Sequence, residues 1–237
     1  MSVSASQQKQ SASARQAISW PAPPRPHEPV ASGFAFYDLE PSPYYDKFKR
    51  IFDLALVIAM SPVVLPFCVF IAAIIRLESK GPAIFKQKRT GQFGNSFEMY
   101  KFRSMRRDAE ASGALFASKG DQRITRVGRI LRKYRFDELP QLLNVLRGEM
   151  SLIGPRPEQL SFVEVFESEI PDYALRHLVR PGITGLAQVH QGYCASLEAT
   201  KKKLRYDLMY IKNMGPRLDF VIILKTIKTI LTGFGHH

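Results

Sequence analysis

The chain has 237 residues, 45% of them hydrophobic, enough for one domain with additions, or two small ones, around a sizeable core. Lys and Arg number 34 against 21 Asp and Glu, a net charge of +13, so an anionic partner is expected: nucleic acid, an acidic membrane surface or phosphorylated small molecules. The only cysteines, Cys68 and Cys194, make no metal-like spacing and no apolar segment opens the chain, so a reduced, cytosolic setting without a secretory signal is expected.

Residues 1–45 are rich in Ser, Gln, Ala and Pro, lack apolar periodicity and read as a disordered tail that holds the single tryptophan, Trp20. The character changes at Leu54–Ile75, "LALVIAMSPVVLPFCVFIAAII", 22 residues without a charge. As a helix this run is about 33 Å long, enough for a bilayer core. Pro62 and Pro66 fall near its middle, and each removes a helical N–H. Ser61 stands ready to bond a freed carbonyl. Lys47, Lys49 and Arg50 precede the run, and Arg76, Lys80, Lys86, Lys88 and Arg89 follow it. Basic flanks mark the cytoplasmic side, so both ends are expected there. A re-entrant helix–break–helix over residues 46–80, broken at Ser61 and Pro62, meets both observations better than a kinked span.

Residues 81–237 then read as a cytoplasmic domain. Gly91, Gly94 and Asn95 punctuate two alternating stretches, a β-hairpin in which Lys101 and Arg103 share a face. Residues from about Arg123 to Arg147 read as two helical pieces broken near Pro140. Leu139, Leu142, Leu143 and Leu146 form a stripe there, and Gly148 supplies the stop. "LSFVEVFESEIPDYALRHLV" reads as one amphipathic helix. The closing "LDFVIILKTIKTILTGF" reads as a core helix or, in preference, as one lying in the headgroup layer with Lys225 and Lys228 toward anionic lipid.

Three constellations invite chemistry. Asp137 and Glu138 are adjacent, so they converge on one ligand only at a helix end or beside a break. Nearby cations would keep a carboxylate ionised, and such oxygens suit Mg²⁺ or attack on phosphorus. In "GPRP", prolines flank Arg156 and present its fork at low entropic cost. In "RPGITG", Arg180 sits in a tight turn whose glycines let N–H groups approach an anion. Each has a plain alternative in a solvated charge pair or an ordinary loop. His177 and His190 are isolated and read as structural.

"KRIFD", the Ser61–Pro62 break, "KFRSM", "DELPQLLNVLRGEMSLIGPRP", "RPGITGLAQV" and "LRYDLMYI" occur in this order between about Tyr45 and Gly235. In that order they resemble the bacterial sugar transferases known as monotopic phosphoglycosyl transferases, in their small form. The resemblance implies an α/β, mainly helical monotopic membrane protein with a re-entrant anchor, interfacial amphipathic helices and a small hairpin, on the cytoplasmic face of the bacterial inner membrane. It implies transfer of a sugar 1-phosphate from a UDP-sugar to polyprenyl phosphate, undecaprenyl phosphate by expectation, with release of UMP. It further implies Mg²⁺ dependence, attack by Asp137 to give a covalent phosphosugar-aspartate, and Glu138 beside it at the metal or phosphate. Lys101, Arg103, Arg156 and Arg180 would hold phosphates and nucleotide. A membrane-tethered nucleic-acid binder is not expected, because the charges are spread and no such motif occurs. A noncatalytic scaffold, single-step transfer, the identity of the sugar and homo-oligomerisation stay open.

Overall fold

The computed structural model describes residues 44–106, 121–191 and 196–232. The tail with Trp20, and Cys194, lie outside them. A wide π-helical turn, Tyr45–Lys49, runs directly into α1, Arg50–Glu78. Helix therefore begins inside the stretch that composition assigns to the tail, and Tyr45 is buried in the core. The stretch Lys47–Glu78 is long and apolar enough to cross a membrane, with mean hydropathy 2.6 and 11% burial in its most apolar window. α1 continues through Pro62 and Pro66 without an interruption. Pro62 has no N–H for the carbonyl of Ile58, and the Ser61 hydroxyl donates to that carbonyl at 2.7 Å instead.

Both ends of α1 are tied to the rest of the chain. Lys49, 1% exposed, pairs with Asp219 at 2.7 Å, and the Tyr210 hydroxyl donates to the other oxygen of Asp219 at 2.9 Å. Arg50 donates to the carbonyls of Val145 and Leu146. At the far end, Arg103 donates to the carbonyls of Ser79 and Lys80. Val57 packs with Met99, Val145 and Met150, whereas Ile71 and Ile75 pack with Phe102 and Leu131. Between these anchors Ile58, Val63, Leu65, Val69 and Phe70 are exposed.

The hairpin forms as its punctuation predicts. β1, Ile84–Thr90, pairs antiparallel with β2, Ser96–Phe102, so that Phe85 faces Lys101. After it, α2, Arg126–Lys133, starts at Thr125, whose hydroxyl accepts from the Gly128 N–H at 2.9 Å. The break that follows lies earlier than predicted. Arg135 adopts a left-handed φ of 60°, which turns the chain into a single 3₁₀ turn, Phe136–Glu138. Pro140 instead keeps right-handed angles and leads into α3, Gln141–Arg147, which stops at Gly148 with φ 82°. The leucine stripe splits between clusters: Leu139 packs near Ile71, Leu142 near Val57, and Leu143 and Leu146 are exposed.

β3, Ser151–Ile153, pairs in parallel with β4, Gly182–Thr184. The helix predicted between them is cut short. α4 covers Leu160–Glu169, and a 3₁₀ stretch, Tyr173–Leu178, follows Pro171 and Asp172, whose φ is 62°. α5, Leu186–His190, α6, Leu197–Asn213, and α7, Pro216–Thr232, complete the domain. Ile153, Val163, Tyr173, Leu186, Leu204, Tyr210 and Ile222 form its main core. α7 exposes Phe220, Leu224, Ile227 and Leu231, as an interfacial helix would, but Lys225 contacts His190 Nε2 at 2.7 Å. His190 Nδ1 lies 2.9 Å from the Leu186 carbonyl, so both ring nitrogens are engaged.

Removing one member of a buried ion pair leaves an uncompensated charge. Lys49→Met is therefore expected to destabilise the protein by about 3–5 kcal/mol, and Lys49→Met with Asp219→Leu to recover much of that loss. Thermal unfolding in detergent measures both.

Candidate active site

The left-handed turn at Arg135 brings the adjacent carboxylates to one place. Asp137 is 8% and Glu138 7% exposed, on a turn backed by Phe136, which meets Phe67 of α1 edge-on at 5.1 Å. Glu138 is surrounded by cations from three parts of the chain. Arg156 Nη2 donates to its Oε1 at 2.5 Å and Arg156 Nη1 lies 3.4 Å from Oε2. Lys101 Nζ is 3.6 Å and Arg135 Nη1 4.0 Å from Oε1. These charges, Arg156 foremost, overcome the opposing effect of burial and hold Glu138 far below the ordinary carboxylate range.

Asp137 is the opposite case. Its Oδ1 is buried with no hydrogen-bond partner. Burial, with the Glu138 charge beside it, raises its pKa to about 6, against the lowering pull of Lys101, Arg132 and Arg135. The neighbouring cations do pull the Asp137 pKa down, as expected, but burial and the Glu138 charge outweigh them. Lys101, taken out of water among Arg156 and Arg89, has its pKa lowered to about 8 despite Glu138.

The structure brings together Asp137, Glu138, Lys101 and Arg156 among the residues singled out from sequence, and it places the other two elsewhere. Arg103 is spent on the carbonyls that end α1. Arg180 donates to the Gly148 carbonyl at 3.1 Å and lies over the Tyr45 ring. The glycines beside Arg180 serve backbone contact. The Gly182 N–H donates to the Pro155 carbonyl at 2.9 Å, and a Cβ on Gly182 would lie 2.0 Å from the Gly154 nitrogen. Sequence reasoning missed Arg132, whose Nη1 is buried without a hydrogen-bond partner and whose charge acts on Asp137. Its only signal is its place with Lys133 and Arg135 in a basic stretch just before the carboxylates.

For Mg²⁺, the donor set is uneven. Both Glu138 oxygens already face cations, while Asp137 retains an unpartnered oxygen. Among the described residues no group of three or more His, Cys, Asp or Glu could hold a metal by itself. Asp137 thus fits an ion whose remaining ligands are phosphate and water; Glu138, so paired, does not.

The structure thus sets a carboxylate pair among fixed cations, on a domain packed against both ends of a helix long and apolar enough to cross a membrane. The model of the family described as "Bacterial sugar transferase" matches residues 44–233, and the chain belongs to that family. It is 52% identical over 197 residues to a UDP-N-acetylgalactosamine-undecaprenyl-phosphate N-acetylgalactosaminephosphotransferase of Aeromonas hydrophila, covering 83% of this chain and 47% of that protein. It is 41% identical over 186 residues to a UDP-glucose:undecaprenyl-phosphate glucose-1-phosphate transferase of Caulobacter vibrioides, covering 78% and 70% of the two chains. An exopolysaccharide production protein of Rhizobium leguminosarum is 42% identical over 190 residues, with 78% and 95% covered. The match thus spans about half the length of the Aeromonas relative.

In metal-free protein the Asp137 carboxyl is expected to titrate near pH 6 when followed by carbon NMR. Lys101 lowers that pKa, so Lys101→Met moves the midpoint upward; a downward move contradicts the assignment.

Proposed function

We propose that this chain transfers a sugar 1-phosphate from a UDP-sugar to a polyprenyl phosphate, releasing UMP, through a covalent phosphosugar on Asp137, and so initiates cell-surface polysaccharide or glycoconjugate assembly. The observation that carries this reading is the asymmetry of the two carboxylates. A nucleophile working near neutral pH needs to be ionised yet basic. Asp137, with a pKa of about 6 and an unpartnered oxygen, meets both needs; Glu138, paired to Arg156, is ionised but too weakly basic, and its oxygens are engaged. The names of the relatives support the substrate class.

In the proposed first step Asp137 attacks the phosphorus that bears the sugar. An Asp137–phosphorus bond forms, the bond to the UMP oxygen breaks, and UMP leaves. In the second, an oxygen of polyprenyl phosphate attacks the same phosphorus, and the bond to Asp137 breaks, restoring the carboxylate. Asp137, with substrate phosphate oxygens, would hold Mg²⁺, which neutralises charge during transfer. Arg156 and Lys101 fix Glu138, and they present their remaining N–H groups to the phosphates.

The membrane part of the proposal is a re-entrant α1 with both ends on the cytoplasmic face. From Val57 to Ile71 a straight helix would rise about 21 Å, yet their partners Met99 and Phe102 sit about 10 Å apart along β2. That mismatch, the mid-helix prolines and the exposed middle of α1 support a bent helix dipping into one leaflet.

Purified protein in nanodiscs is expected to release UMP from at least one UDP-sugar when polyprenyl phosphate is supplied, and Asp137→Ala to release none. Radiolabelled sugar should remain on the unsubstituted protein when acceptor is withheld; no label on Asp137 eliminates the covalent step. For topology, single cysteines placed at Lys47 and Leu77 should both react with an impermeant maleimide from the cytoplasmic side only. Labelling of the two from opposite sides indicates a span.

A further inference from the structure

The motif "LRYDLMYI" and the lysine run before it carry no role in the chemistry above, yet they place a buried polar stripe on α6. Lys203, Asp207 and Tyr210 recur at a spacing of four and three residues, one helical face, and all are buried. Each bears on the segment that presents Arg156. Lys203 pairs with the Glu158 carboxylate. The Tyr210 hydroxyl lies 3.2 Å from the Ile153 carbonyl. Asp207 Oδ2 accepts from Arg176 Nε at 3.0 Å and from Nη2 at 2.8 Å, and Arg176 Nη2 also donates to the Arg156 carbonyl at 2.8 Å.

The same segment is held at every carbonyl from Pro155 to Glu158. Gly182 N–H serves Pro155, Arg176 serves Arg156, Arg89 Nη1 serves Pro157 at 3.3 Å, and Thr90 N–H serves Glu158 at 3.0 Å. Arg176 is 2% exposed and its other nitrogen donates to the Tyr173 hydroxyl at 2.9 Å, so its guanidinium is consumed inside the protein. It cannot touch a substrate. What it touches is the backbone of the residue whose fork grips Glu138.

We propose that Arg176 and Asp207 are positioning residues for transfer: together they hold the Arg156 backbone so that the guanidinium meets Glu138 and the donor phosphate in one fixed orientation. This rests on the transferase reading above. A planar fork depends on where its backbone sits, whereas a flexible ammonium tolerates displacement. Misplacement of a site group by about 1 Å costs up to ~100-fold in rate.

A double-mutant cycle in the full chain, in nanodiscs, tests it, with UMP release counted per folded enzyme well below the melting temperature. Asp207→Asn is expected to lower kcat about tenfold in the unsubstituted protein but less than about threefold in an Arg156→Lys background. An equal fold-loss in both backgrounds, or unchanged kcat in Asp207→Asn alone, overturns the positioning role while leaving the transferase reading intact. Absence of UMP release from the unsubstituted enzyme with every UDP-sugar brings down both. A readout without turnover follows the Arg156 Nε–H resonance in protein labelled at arginine, assigned by its loss in Arg156→Lys. Asp207→Asn is expected to shift and broaden it, and Lys203→Met, which loosens the same segment through Glu158, to shift it less. An Arg156 resonance unmoved by Asp207→Asn overturns the proposal.

Discussion

Two neighbouring carboxylates in a buried turn are costly on two counts, since each loses water and each repels the other. The fold offsets that cost for Glu138 alone. Arg156 arrives from the loop after β3, Lys101 from β2 and Arg135 from the left-handed turn, and all face Glu138. Asp137 receives the residual field of the same cations with no hydrogen bond to its Oδ1. The pair is therefore a divided one. Glu138 serves as a fixed anion that organises cations, and its neighbour is left ionisable and unsaturated.

The site's relation to the membrane follows from one strand. β2 carries Lys101 into the site, packs Met99 against the first half of α1 and Phe102 against the second, and is followed at once by Arg103, which binds the carbonyls that end α1. On the other side, Lys49 and Arg50 lock the start of α1 to α7 and α3. Movement of the apolar helix would thus be transmitted to Lys101 through packed contacts on both sides. In the proposed reaction between a soluble anion and a lipid-borne one, this coupling would let the depth of the helix set the height of the site.

Much of this was legible from sequence where the signal is local. The uncharged run, the hairpin punctuated by Gly91 and Gly94, the Ser61 rescue of a carbonyl freed by Pro62, and the closing amphipathic helix depend on short-range chemistry, and each appears where the residues put it. The break is expected near Pro140, the louder signal, whereas the chain already turns before the carboxylates at Arg135, an ordinary residue whose left-handed angle no local signal announces. The site itself was half legible. Lys101 and Arg156 converge on Glu138, but nothing in the chain order says that Arg103, two residues beyond Lys101, turns to the end of α1. The role of α6 was invisible for a similar reason: a polar stripe at helical spacing normally faces water, and only the packed segment opposite makes it a buried one.

The fate of the arginines also changes the meaning of the +13 charge. Arg50, Arg103, Arg176 and Arg180 direct donors at main-chain carbonyls. Those carbonyls share a physical predicament. They lie at helix ends, or between Pro155 and Pro157, in places where the chain has more acceptors than N–H groups to give them. An arginine offers five donors in a rigid fork and needs no partner residue to change conformation. The prolines that stiffen the Arg156 loop thus create the very shortage that Arg176 and Arg89 fill, and a loop stiffened this way demands buried arginines elsewhere in the chain. Part of the basic excess is consequently internal scaffolding. The cations that face the carboxylates, Arg156 and Lys101 above all, are a small subset, and their effect comes from burial and fixed orientation more than from number.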